Sequence, residues 1–108
     1  MIIDHIRGAR SLRQLPSRKV AISVVTRCEL FAGRLADEAQ VSRLLSPMEQ
    51  IPVDLAIAER AGRLRRSTGI ATPDALIAAT ALEQGLTLMT RNVRHFGRVP
   101  ELSLADGE

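Results

Sequence analysis

The sequence predicts an α/β domain with a mainly parallel sheet, on three observations. Residues 19–25, Lys-Val-Ala-Ile-Ser-Val-Val, are apolar and β-branched with little alternation, as in a strand buried on both faces. Residues 86–90, Leu-Thr-Leu-Met-Thr, make a later strand. Between them lie stretches with apolar residues at helical spacing, and two of these stop at a glycine. Strands alternating with helices build parallel sheets.

Taken in order, residues 26–34 read as a helix with Gly33 near its end, and 37–45 as a second helix ended around Pro47. Ile51, Pro52 and Val53 make a short strand, which the proline confines to an edge or a strand start. Asp54 caps a longer helix over 55–67. Its Ile57, Ala58, Ala61 and Leu64 recur at helical spacing, while Arg60, Arg63, Arg65 and Arg66 point elsewhere, and Gly69 ends it. The next helix opens with Thr72 as cap and Pro73 at the first helical position, where a missing N–H costs nothing. It is almost free of polar side chains from 76 to 82 and stops at Gly85. A helix apolar all round is buried, so Asp74 stands where a deeply packed helix meets a surface or a cleft. Residues 91–97 form a turn or one helical turn, and 102–104 a final edge strand.

With 108 residues the chain makes a single domain, 1–108, with a real core. Its 45% hydrophobic and 25% charged content is that of a globular protein. No apolar stretch approaches a membrane span and no secretory signal is visible. The single Cys28 excludes a disulfide framework and a cysteine-rich zinc site, so a cytoplasmic setting without a membrane partner is expected. Net charge is +3 and Arg greatly outnumbers Lys. Arginine grips phosphate bidentately, which leans toward nucleic acid, although +3 also serves plain solubility. With no Trp or Tyr, and only Phe31 and Phe96, a base-stacking platform is excluded.

Polar groups fall where parallel sheets bind ligands, at the carboxyl ends of strands. Glu29 follows the strand at 19–25, on the first turn of the next helix. Asp74 lies at the mouth of the buried helix, and Asn92 two residues past the strand at 86–90, beside Thr90. A hard divalent cation wants oxygen ligands, usually one or two carboxylates plus water, and these three residues supply such a set if the strands converge. Each also has a plainer role: an acid favoured by a helix dipole for Glu29 and Asp74, a turn residue for Asn92. His5 and His95 are too far from any Cys or second His for a zinc pattern and read as surface or turn residues. Cys28 reads as a small apolar filler in a buried helix. Arg63, Arg65 and Arg66 either hold a nucleic-acid backbone or form a solvated helix face. No Ser/His/Asp spacing, phosphate loop or dinucleotide fingerprint is present.

Three segments, in this order, resemble a PIN domain of the VapC toxin type: residues 21–33, Ala-Ile-Ser-Val-Val-Thr-Arg-Cys-Glu-Leu-Phe-Ala-Gly; residues 73–80, Pro-Asp-Ala-Leu-Ile-Ala-Ala-Thr; and residues 88–96, Leu-Met-Thr-Arg-Asn-Val-Arg-His-Phe. The resemblance runs from about residue 2 to about residue 104. It implies a three-layer α/β/α fold and an endoribonuclease that cuts single-stranded RNA with Mg²⁺ or Mn²⁺. It also implies the toxin half of a toxin–antitoxin pair, covered by a small VapB-like antitoxin and commonly a homodimer. By motif position it makes Glu29, Asp74 and Asn92 catalytic, with Asp74 and Glu29 as metal ligands. Thr26 and Thr90 could orient waters or phosphate.

The family opens with a strand ending in Asp-Thr-Ser or Asp-Thr-Asn, followed by a helix bearing a second, non-catalytic Asp. Here residues 3–8, Ile-Asp-His-Ile-Arg-Gly, resemble that helix. This predicts an N-terminally truncated domain without the first strand and first catalytic Asp, and as its functional counterpart an inactive module that binds antitoxin or RNA without cleavage. Alternatively, residues 1–3 form a very short strand with Asp4 at its carboxyl end, in the catalyst's place. Only about fifteen residues then remain before the strand at 19, near the lower limit for a crossover. The closer local match favours truncation, at the cost of leaving two buried strands unpaired.

Overall fold

The computed structural model describes residues 2–4, 20–33, 37–90 and 92–106. Five parallel strands form one sheet in the order β3-β2-β1-β4-β5, with β1 at Ile2–Asp4, β2 at Val20–Ser23, β3 at Glu49–Ile51, β4 at Thr87–Thr90 and β5 at Leu104–Asp106. The first strand is therefore short, not missing, and it is the central one. Ile2 pairs with Val20 and Thr87, Ile3 with Ala21 and Leu88, and Asp4 with Ile22 and Met89. The expected truncation is corrected on this point. Ile3 and Asp4 are strand because the backbone groups of β2 and β4 need a partner between them, while residues 5–8 of the helix-like segment lie outside the described residues.

The helices are α1 (Val24–Ala32), α2 (Glu38–Leu45), α3 (Leu55–Thr68), α4 (Thr72–Gln84) and the single turn α5 (Val93–Phe96). Val24 and Val25, expected in the strand, instead open α1. Ser23 ends β2 because its Oγ accepts the Val25 N–H at 3.0 Å and so caps the helix. Asp54 caps α3 as expected, accepting from the Ile57 N–H at 2.9 Å, and Asp37, expected as the first helical residue, caps α2 by accepting from the Gln40 N–H at 3.2 Å. Thr72 does not cap α4: Ala71 holds that position without a side-chain bond, and Thr72 is the first helical residue. Gly69 and Gly85 end α3 and α4 at φ +74° and +64°, a left-handed backbone that a side chain would strain.

Adjacent residues of a strand face opposite sides of the sheet. Ala21 and Ile22 of β2 accordingly fall in two separate apolar clusters. Ala21 packs with Ile57, Ala61 and Leu64 of α3 and with Ile77, Ala78 and Ala81 of α4. Ile22 packs with Leu30 of α1 and with Val41 and Leu45 of α2. The result is an α/β/α sandwich. α4 is buried along most of its length, as its apolar run predicts. Cys28 differs from expectation: it is exposed on α1.

Candidate active site

From β1 the chain builds outward through β2 to β3, then returns to the other side of β1 with β4 and β5. The order reverses between β1 and β4, and open parallel sheets bind ligands at the carboxyl edge of such a reversal. Asp4 is the last residue of β1 and Thr90 the last of β4. α1 starts directly after β2, which sets Thr26 at the same edge. α4 leads into β4 through residues 85–86 and so runs against it, bringing its first turn, and Asp74, to that edge.

The Asp74 carboxylate has a partner that sequence reasoning did not assign. His95, on α5, lies with Nε2 at 2.9 Å from Asp74 Oδ2. An ionised carboxylate only accepts, so Nε2 donates. The pair is sheltered, with 14% of the Asp74 side chain and 27% of the His95 side chain exposed. α5 is pinned by the fully buried Phe96, whose ring meets the His95 ring edge-on at 5.3 Å between centroids. His95 is thus no turn filler: it orients one oxygen of Asp74, as an outer partner orients a metal-ligating carboxylate. The available signal was its place one helical turn past a strand end, which a search for zinc spacing passes over.

Thr90 is buried, and its Oγ accepts the Asn92 N–H at 3.0 Å, shaping the turn that presents Asn92 to solvent. The Asn92 side chain makes no cap bond to α5. Glu29 is exposed in the second turn of α1, not the first as expected, because the Ser23 cap starts the helix earlier. Its explanation as a dipole acid lapses, since that effect is confined to the first turn.

Thr26 is fully buried, and its Oγ has no hydrogen-bond partner among the described residues. A buried orphan hydroxyl is the mark of a place made for water or ligand. With the Asp74 carboxylate at the same edge, the donors suit a hard, oxygen-seeking cation. Among the described residues, no three His, Cys, Asp or Glu side chains come together. Asp74 and His95 do, while Glu29 and Asn92 stand on separate elements of that edge. The backbone register sets Asp4 there too, beside Met89 of β4.

The PIN domain pattern matches residues 1–102. Ribonuclease VapC10 of Mycobacterium tuberculosis (strain ATCC 25618 / H37Rv) is 42% identical over 113 aligned positions, covering 94% of this chain and 85% of that protein. The tRNA(fMet)-specific endonuclease VapC of Salmonella typhimurium is 31% identical, covering 95% of this chain and 84% of its own length. Among solved structures, a toxin–antitoxin complex from Klebsiella pneumoniae superposes with a TM-score of 0.77 at 29% identity, covering all of this chain and 98% of that one. Sheet order, the acid-bearing carboxyl edge and these matches agree: the chain belongs to the PIN-domain family of VapC ribonucleases.

Proposed function

We propose that the protein is a Mg²⁺- or Mn²⁺-dependent endoribonuclease that cuts single-stranded RNA in the cytoplasm, as the toxin of a toxin–antitoxin pair. The observation that carries this is the Asp74 carboxylate, held by His95 at the carboxyl edge where the strand order reverses. Support comes from the ribonuclease relatives and from the toxin–antitoxin complex with the same fold. Asp74 and Glu29 would hold the ion, with Asp4 as the further acid its strand position offers. When bound, a divalent cation lowers the pKa of a water and offsets charge developing on the phosphate. His95 fixes the Asp74 carboxylate against rotation, Asn92 offers an uncharged amide to phosphate or water, and the Thr26 hydroxyl has a hydrogen bond to give.

The expectation of an inactive module rested on an absent first strand, and β1 stands in that place. A VapB-like antitoxin covering this edge and a homodimer complete the proposal. Its test is cleavage of single-stranded RNA by the full chain. Activity should vanish in EDTA and return with Mg²⁺ or Mn²⁺. Asp74→Asn should lower it at least a hundredfold and relieve growth inhibition. Undiminished cleavage by that variant defeats the site assignment, and cleavage in EDTA defeats the metal.

A further inference from the structure

α3, the far half of α4 and the turn at residues 100–101 enclose a groove of about 320 Å³. Arg60, Arg63 and Arg66 line it together with Leu64, Leu82 and Glu101. The four arginines of α3 are not equivalent. Arg60 is tied to α4, its Nε 2.8 Å from Glu83 Oε2. Arg65 Nε donates to the Ile70 carbonyl at 3.2 Å and helps close the end of α3. Arg63 and Arg66, one turn apart on the exposed side, have no ion-pair partner among the described residues. Among the described residues, two arginines therefore have structural work and two have none.

We infer that Arg63 and Arg66 form a second RNA-binding site, outside the carboxyl edge, which takes the phosphodiester backbone of a single strand. This rests on the ribonuclease function proposed above. Guanidinium groups one helical turn apart fit successive phosphates, which they bind bidentately. Leu64 and Leu82 give an apolar floor for a ribose or a base face. Roughly 12 Å of helix axis separates Asp74 from Leu82, so a strand cut beside Asp74 reaches the groove within a few nucleotides. The volume suits one nucleotide-sized group, near the lower end of small-ligand sites. An acidic protein is the poorer fit, since a stable interface buries about 800 Å² per partner and depletes charge at its centre. Glu101 stands at the lip with a left-handed backbone, φ +66°, and its carboxylate opposes phosphate. It tempers the site.

The test uses the full chain carrying Asp74→Asn, so that RNA is bound and not cut, with a labelled single strand of about a dozen nucleotides titrated across salt. Adding Arg63→Gln and Arg66→Gln should weaken binding at least tenfold at low salt. The slope of log K against log salt should shrink by about 1.4, or about 0.7 for each phosphate no longer neutralised. Glu101→Gln should tighten binding. If the slope stays the same in a protein that otherwise binds and cuts RNA, the groove is not an RNA site. The groove is equally excluded as an RNA site if the double variant loses antitoxin while keeping RNA. If the unaltered chain neither binds nor cuts RNA, the proposed function fails first and this inference with it.

Discussion

His95 holds Asp74 across 21 positions of sequence, and that separation decides what a substitution there does. His95→Ala removes the hydrogen bond to one Asp74 oxygen but leaves the buried Phe96 anchor in place. If Asp74 holds the ion as proposed, cleavage should fall about 10–100-fold, the usual cost of removing an outer partner of a metal ligand. The thermal midpoint should barely move, since the pair is partly exposed. A loss of activity matched by a lost fold would mean that His95 is structural. Thr26→Val keeps shape and removes an unpaired buried hydroxyl. The unfolding free energy in urea should rise by about 1 kcal/mol, seen as a higher midpoint at constant slope, while cleavage drops if that hydroxyl serves the site. The positions of Asp74 and Asn92 were legible in the sequence because their signals are local: a buried apolar helix behind one, a strand end before the other. The His95 contact was not, because no short-range pattern links positions 74 and 95.

At the scale of elements, Asp37, Asp54, Gly69 and Gly85 punctuate the chain as their chemistry predicts. Several boundaries escaped: the strand expected at 51–53 is Glu49–Ile51, ahead of Pro52, and the one expected at 102–104 is Leu104–Asp106. Two others show why. At the end of β2, the β-branched pair Val24 and Val25 pointed to strand, but the Ser23 cap makes them helix. At the N-terminus, three residues carry too little periodicity to declare a strand, and only the partners on either side reveal it. Ile3→Pro tests that pairing directly. Proline deletes an N–H in a strand bonded on both sides, a position essentially closed to it. Leaving even one buried backbone partner unsatisfied costs about 1–3 kcal/mol, so the variant should lose much of its urea resistance or fail to fold cooperatively. Full stability in that variant would contradict the central place of β1.

For the whole molecule, element order was enough to reach an α/β domain with a mainly parallel sheet, while the three layers came only with the family resemblance. Which strand ends lie side by side at the carboxyl edge was beyond element order, because strand order is a property of the assembled sheet. That order has a dynamic consequence. Among the described residues, the hydrogen-bonded ladder joins β2 and β3 on one side to β4 and β5 on the other through the three residues of β1. Fraying of this one short strand exposes backbone amides in both halves together, so β2 and β4 should belong to one cooperative unit of opening. Their amide protons should exchange with deuterium at a shared opening free energy, well below that of the buried middle of α4. If the Ala21 and Leu88 amides instead open at widely different free energies, the two halves of the sheet breathe independently.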